Sequence, residues 1–306
     1  MGSVRHVIES QQFDTAFIAD LFACAEDCSR NERRTDMAGM TLASLFYEPS
    51  TRTRFSFEAA MHRLGGSVVT TENAREFSSL AKGESLEDTI RVLCGYVDLL
   101  VLRHYEIGAA KRAAEIATVP VLNAGDGAGQ HPTQALLDLF TLHRSFGRLD
   151  GLTVAMVGDL RYGRTVRSLA YLLAKYKDVQ LIFVAPPVCK MHEDIKAYLT
   201  REGVRWRDES DLAKVLPEAD CVYMTRIQKE RFLDLNEYAQ ANNIYRISRD
   251  NLELMRTDAI IMHPLPRVTE IDPAVDDDPR AQYFQQARNG LWVRMALILY
   301  VLSRWG

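Results

Sequence analysis

"PTQALLDLFTLHRSFGRLDGLTVAMV", residues 132–157, decides how this 306-residue chain is organised. Pro132 suits the first position of a helix, where its missing N–H costs nothing. "TQALLDLFTLHRSF" then carries apolar residues at helical spacing. "GRLDG" (147–151) is a turn-rich break, and "TVAMV" (153–157) is a short, branched, apolar run of the kind that forms a buried strand. A long helix, a break and a fresh strand predict passage from one domain to the next.

The same alternation extends outward on both sides. Upstream, "TLASLF" (41–46), "SVVT" (67–70), "DLLVL" (98–102) and "VPVLN" (119–123) read as strands, with helices near 13–28, 52–64, 86–95 and 106–117. Ser85 followed by Asp88 predicts a capped start for the third helix. Downstream, "TVAMV", "VQLIFV" (179–184), "DCVYM" (220–224) and "AIIM" (259–262) repeat the pattern. Strand–helix alternation implies parallel sheets covered on both faces. Eight strands allow one large sheet or two of four. The break at 147–151, and the closing helix "QQARNGLWVRMALILYVLSRW" after an acidic loop at 272–280, favour two. The expectation is therefore an α/β chain of two doubly wound parallel-sheet domains joined by helices. Residues 1–132 plus 286–306 form the first, 133–285 the second, the C-terminal helix packs back on the first, and the site lies in the cleft.

Composition narrows the function. With 47% hydrophobic and 25% charged residues the chain is ordinary for a globular protein, and no apolar run approaches the ~18 residues of a membrane span. A net charge of −4 offers no general attraction to nucleic acid or an anionic membrane, so any basic site must be local. The first twenty residues read as neither signal nor transit peptide. Cys24 and Cys28 stand one helical turn apart, but no second Cys/His pair follows at zinc spacing. No metal is expected, and the thiols are expected to be reduced.

The chemistry sits at strand ends. In "FYEPSTRTRFSFEAA" (46–60) two arginines and three hydroxyls crowd a helix start. Positive charge there opposes the helix dipole unless an anion sits on the open N–H groups. The alternative is Ser50 as a plain N-cap beneath solvated arginines. "HPTQ" (131–134) follows the glycine-rich "NAGDGAGQ", whose glycines would let backbone approach a ligand closely, and places His131 and Gln134 three apart, either on one small polar group or simply as helix caps. "VGDLRYGRTVRS" (157–168) lacks the G-x-G-x-x-G spacing of a dinucleotide loop, and its Arg161, Arg164 and Arg167 suit carboxylates or phosphate. "MTRIQKER" (224–231) offers Arg226, Gln228 and Arg231. The prolines of "MHPLPR" (262–267) leave backbone carbonyls as acceptors. "FSSLAKGES" (77–85), taken alone, reads as a surface loop. Many anion-reading groups, one histidine and no triad, metal set or cofactor fingerprint suit a small, multiply anionic substrate pair activated by charge stabilisation.

"STRTR", "HPTQ", "GDLRYGRTV", "MTRIQKER" and "HPLPR" stand in the order and spacing of the aspartate carbamoyltransferase catalytic chains, a branch of the aspartate/ornithine carbamoyltransferase superfamily. The resemblance spans residues 35–306, and "TTENAREFSS" and "RSLAYLLAKYKDV" look most like the plant-type branch. It implies transfer of a carbamoyl group from carbamoyl phosphate to the amine of L-aspartate, an early step of pyrimidine biosynthesis. It also implies a carbamoyl-phosphate-binding first domain and an aspartate-binding second one. Further implications are no cofactor, a homotrimer with shared active sites, and a cytoplasmic location, or plastid stroma after loss of a transit peptide. Regulatory chains or inhibition by UMP are compatible with it.

By the same resemblance Ser50, Thr51, Arg52, Thr53 and Arg103 would hold the phosphate. His131, with Thr53 and Arg103, would polarise the carbonyl oxygen. Gln134 and the carbonyls of Leu265 and Pro266 would take the carbamoyl NH₂. Arg164, Arg226 and Gln228 would read the aspartate carboxylates, and Ser79 and Lys82 would enter from a neighbouring subunit, Lys82 toward both substrates. Arg52, Thr53, Lys82, Arg103 and His131 form the catalytic set. Glu48, Arg164 and Arg231 resemble an interdomain charge network, and Glu84 is a partner for Arg52 or Arg103 when phosphate is absent. An ornithine-specific relative typically carries H-C-L-P where this chain has "HPLP" and lacks the Arg226/Gln228 pair. A non-catalytic homologue would be expected to have lost phosphate or histidine positions that are present here.

Overall fold

A computed structural model describes residues 6–72, 83–229, 232, 234–242 and 244–302. The chain forms two compact units, residues 1–137 with 288–306, and residues 138–287. These divisions fall inside two continuous helices, as do the boundaries expected from sequence.

Unit 1 holds a four-stranded parallel sheet in the order β2-β1-β3-β4, with β1 Thr41–Phe46, β2 Ser67–Glu72, β3 Leu99–His104 and β4 Val121–Asp126. Its helices begin with α1 (Thr15–Arg30), α2 (Thr51–Arg63), α3 (Leu86–Leu93) and α4 (Ala109–Ile116). Asp14 caps α1 by accepting from the Phe17 N–H at 2.7 Å, and Ser85 caps α3 by accepting from the Asp88 N–H at 3.0 Å. Each cap satisfies one of the donors that a helix start leaves open. Ala43, Leu45, Leu100, Leu102 and Val121 of the sheet pack with Ile90 of α3 and Ala109 and Ala113 of α4. The inner strands are buried on both faces, which explains their nearly unbroken apolar sequence.

Two helices run from one unit into the other: α5 (Pro132–Phe146), and α11 (Tyr283–Val301) at the end of the chain. The C-terminal part of α11 packs on unit 1. Tyr300 meets Phe17 edge-on at 4.7 Å, and Arg294 lies 5.0 Å over the Phe57 ring while donating to Ser56 Oγ at 2.9 Å. The Trp292 indole donates to Glu32 at 3.1 Å. Val293 and Met295–Leu299 are wholly buried, so these two turns of helix are apolar almost all round, as a core helix must be.

Unit 2 holds a five-stranded parallel sheet, β7-β6-β5-β8-β9, formed by β5 Thr153–Val157, β6 Gln180–Val184, β7 Arg205–Glu209, β8 Cys221–Met224 and β9 Ile260–Met262. Around it lie α6 (Arg164–Leu173), α7 (Glu193–Arg201), α8 (Leu212–Val215), α9 (Leu235–Ala241) and α10 (Arg249–Leu254). Strand β7, "RWRDE", carries no apolar signature because it is an edge. Its side chains are exposed or half-buried, and Lys196 reaches Asp208 at 2.9 Å while Arg207 reaches Glu218 at 2.8 Å. Charged edge strands of this kind resist pairing with another chain.

A buried carboxylate ties β8 to α5 and α11. Asp138 of α5 accepts from the Tyr223 hydroxyl at 2.7 Å and from Gln286 Nε2 of α11 at 2.6 Å. Burial and the adjacent Asp138 charge push the Tyr223 phenol far up, so it remains a donor. Among the cysteines, Cys24 and Cys28 are buried one turn apart within α1.

The all-round burial of α11 makes its core sensitive to truncation. Leu297→Ala is expected to destabilise the protein by about 2–5 kcal/mol, the range for a buried leucine that leaves a cavity. A lower urea midpoint in circular dichroism would show it; an unmoved midpoint would contradict the packing described.

Candidate active site

In a parallel sheet the productive edge is the carboxyl one, at the point where strand order reverses. In unit 1 that point lies between β1 and β3. The chain leaving β1 runs through Glu48 and Ser50 into α2, and Arg103 is the penultimate residue of β3. Ser50 is the N-cap of α2, yet its side chain makes no capping bond, and the first turn contains no acid. The hydroxyl and the first N–H groups are thus not engaged by their own helix. Thr53 is buried at 8% exposure.

The two arginines of this turn differ. Arg54 is paired with Glu72 at 3.0 Å and Glu58 at 3.9 Å, and lies over Phe55. Arg52 forms no ion pair among the described residues, and desolvation pulls its guanidinium below the ordinary arginine value. Arg103 donates to the Ala124 carbonyl at 3.2 Å and lies 3.6 Å from Glu48. Glu84 accepts from Thr89 Oγ1 at 2.8 Å.

His131 and Gln134 are buried at 4% and 9% exposure where α5 begins. The His131 carbonyl accepts from the N–H groups of Gln134 (3.0 Å) and Ala135 (3.1 Å), so its backbone opens the helix. The preceding glycines serve the loop itself. A Cβ on Gly127 would lie 2.4 Å from the Tyr105 carbonyl oxygen, and one on Gly129 would lie 2.7 Å from Asp126 Oδ1. Asp126 gathers this turn, accepting from Gln130 N at 2.7 Å and Gly108 N at 2.8 Å. Close approach is required here by neighbouring chain, a purpose the sequence pattern does not reveal.

In unit 2 strand order reverses between β5 and β8. Thr225 ties the two strand ends together: its hydroxyl donates to the Val157 carbonyl at 2.8 Å and accepts from the Asp159 N–H at 2.9 Å. Gly158 has φ +107°, and a Cβ there would meet the Thr225 carbonyl oxygen at 2.3 Å, so only glycine fits. Of the three arginines in 157–168, Arg167 makes a two-pronged pair with Asp194 (3.2 and 2.6 Å), and Arg161 rests on Tyr162 and reaches the Val188 carbonyl. Arg164 is the first residue of α6, at the strand-end edge. Arg226 lines a cavity of about 380 Å³ with Thr225, Lys229, Tyr238, Tyr245 and Glu270. Gln228 follows on the same segment, half-buried. Ser79, Lys82 and Arg231 lie outside the described residues.

The loop after β9 is held from several directions. Leu265 has φ +53°, and the Leu265–Pro266 bond is cis. Arg267 is engaged by Asp276 and stacks on Tyr283, so it serves the fold. The buried His263 receives the Leu265 N–H on Nδ1 at 2.7 Å, which places the ring proton on Nε2, 2.8 Å from Glu270 Oε1. The other Glu270 oxygen accepts from the N–H groups of Val268 (3.1 Å) and Thr269 (3.0 Å). Burial alone would push the Glu270 carboxyl up. The His263 hydrogen bond and the backbone donors outweigh it and hold the group below the ordinary glutamate value. Glu270, Gln286 and Asp138 were not singled out by sequence reasoning, since no local motif marks them.

Parallel α/β units with cationic, amide and hydroxyl groups at their strand-order reversals define an enzyme class that handles small anions. Residues 5–144 match the family model "Aspartate/ornithine carbamoyltransferase, carbamoyl-P binding domain", and residues 150–301 match the "Asp/Orn binding domain" of the same family. Aspartate carbamoyltransferase 1, chloroplastic, of Pisum sativum is 59% identical over 304 residues, covering 98% of this chain and 79% of its own. The catalytic subunit of Thermoplasma acidophilum is 49% identical over 305 residues, covering 98% of each. The crystal structure of Trypanosoma cruzi aspartate transcarbamoylase with carbamoyl phosphate and aspartate superposes with a TM-score of 0.91 at 41% identity, covering 97% of this chain and 96% of that one. The chain belongs to the aspartate/ornithine carbamoyltransferase family and is a carbamoyltransferase; within the family it groups with aspartate carbamoyltransferase catalytic chains.

A carboxylate with a depressed pKa stabilises the fold above its unfolded value of 4.5 and loses that contribution as pH falls through the folded value. The wild-type protein is therefore expected to melt above Glu270→Gln at about pH 6, with the gap closing on acidification below 4.5. Calorimetric scans across pH test this, and a gap independent of pH would refute it.

Proposed function

We propose that this chain transfers the carbamoyl group of carbamoyl phosphate to the amine of L-aspartate, releasing N-carbamoyl-L-aspartate and phosphate. The observation that carries the reading is the start of α2, where a Ser50 side chain that makes no capping bond, an acid-free first turn and a desolvated Arg52 without an ion pair among the described residues coincide. An anion there satisfies the open donors and reverses the electrostatic cost. The Trypanosoma cruzi relative, solved with carbamoyl phosphate and aspartate, and with carbamoyl aspartate and phosphate, supports the substrate pair.

In this reading Ser50, Thr51, Arg52, Thr53 and Arg103 bind the phosphate, and His131, Thr53 and Arg103 donate to the carbonyl oxygen. Gln134 and the Leu265 and Pro266 carbonyls fix the carbamoyl NH₂, while Arg164, Arg226 and Gln228 bind the carboxylates. The aspartate amine attacks the carbonyl carbon and negative charge gathers on its oxygen. A well-placed donor lowers such a barrier by about 3 kcal/mol. The carbon–oxygen bond to phosphate then breaks, and the departing phosphate takes the amine proton, so no side-chain base is required. Holding both substrates in register supplies much of the remaining acceleration.

The assembly proposed is a homotrimer in which Ser79 and Lys82 serve the site of a neighbouring copy. Exposed apolar residues on unit 1, including Phe55 on α2 and Tyr96 after α3, suit burial against such a copy. A plant-type affiliation is supported by chloroplastic relatives from Pisum sativum, Arabidopsis thaliana and Oryza sativa, at 55–59% identity. That affiliation extends the proposal to a plastid or cytoplasmic setting and to UMP as a regulator.

Arg52→Ala is expected to lower carbamoyl-aspartate formation by at least about 100-fold with an unchanged circular dichroism spectrum. Unchanged turnover would contradict the phosphate assignment. Mixing inactive Lys82→Ala and Arg226→Ala chains is expected to regenerate part of the activity, because some shared sites then receive two intact contributions. Proven subunit exchange without recovery would exclude the shared site.

A further inference from the structure

We infer that His263 and Glu270 are positioning residues that set the enzyme's preference for a carbamoyl over an acetyl donor. The inference rests on the reading that the Leu265 and Pro266 carbonyls receive the carbamoyl NH₂. Two hydrogen bonds to those carbonyls distinguish NH₂ from a methyl group of similar size, and they form only if both oxygens are correctly aimed.

The aim is not set by leucine itself. A leucine at φ +53° occupies a region that L-residues with a bulky side chain seldom hold unless their surroundings impose it. The imposing contact is the 2.7 Å hydrogen bond from the Leu265 N–H to His263 Nδ1. The ring can accept there only while its proton stays on Nε2, and Glu270 Oε1 at 2.8 Å holds it there. The second Glu270 oxygen grips the Val268 and Thr269 amides, so one carboxylate braces the loop on both sides of Pro266. The base of the loop is fixed as well: the His263 N–H donates to Gln286 Oε1 at 2.9 Å, and Gln286 is held by the buried Asp138. His263 is 2% exposed and Glu270 8%, so water offers little substitute for either partner. Neither residue needs to touch the substrate for this effect.

The experiment measures the affinities of carbamoyl phosphate, acetyl phosphate and inorganic phosphate by titration calorimetry. His263→Leu removes the Nδ1 acceptor, and Glu270→Gln cannot serve the ring N–H and the two amides together. Each is expected to lower the carbamoyl-over-acetyl preference by about tenfold, the loss of roughly one good hydrogen bond, with phosphate affinity unchanged. His263→Asn keeps an acceptor near the Nδ1 position and is expected to hold the preference within about threefold. If His263→Leu fails to fold, Glu270→Gln decides the matter alone. A folded Glu270→Gln protein with the wild-type preference would overturn the inference, as would a His263→Asn protein as deficient as His263→Leu. A wild-type protein with no preference for carbamoyl phosphate would instead refute the underlying reading of the two carbonyls.

Discussion

Parallel strand pairing dictates where chemistry can stand in each unit of this chain. When every strand runs the same way, every strand's carboxyl end emerges on one edge, and residues far apart in sequence are delivered to the same place. The 46–53 segment and Arg103 meet at one sheet edge in this way, as do the 158–164 and 225–228 segments at the other. Reversal of strand order at β1/β3 and β5/β8 then opens space at those edges, because the following helices depart to opposite faces. The motifs need not be adjacent in sequence, since the sheet gathers them.

Within this arrangement, pairing separates the arginines that serve local order from those that acids of the described residues engage weakly or not at all. Arg54, Arg167 and Arg267 each sit against a carboxylate of their own unit and contribute to local order. Arg52 stands at a positively polarised helix end with its charge partly desolvated. A charge left in that condition is a standing cost, and its retention is rational where a dianion arrives to meet it. Arg103 is intermediate: Glu48 stands 3.6 Å away, a looser pairing than those of Arg54 and Arg167.

Local pattern made most of the fold legible. The eight apolar strands, the capped helix behind Ser85 and the burial of the final helix follow from periodicity and capping chemistry, which act over a few residues. Strand β7 was not legible: it is charged and half-exposed, and it pairs because β6 presents an open edge, not because "RWRDE" prefers extension. The glycines at 127 and 129 were legible as special but not in purpose, since the atoms they make room for belong to Tyr105 and Asp126. The braces behind "HPLPR" were invisible for the same reason. Asp138, Gln286 and Glu270 lie on different elements, and nothing in their own neighbourhoods announces a shared task.

The sequence by itself determined the class of fold, the division into two units and the family. Each of these is written in short-range signals: strand–helix alternation, a turn-rich break, and ordered motifs of unusual composition. Tertiary structure decided which arginines are engaged by acids, which ring nitrogen of His263 carries the proton, and what forces Leu265 into its left-handed conformation. Those outcomes depend on distances that no periodic pattern sets, from His263 and Glu270 in one loop to Arg167 and Asp194 on separate helices, and such distances exist only once the chain has folded.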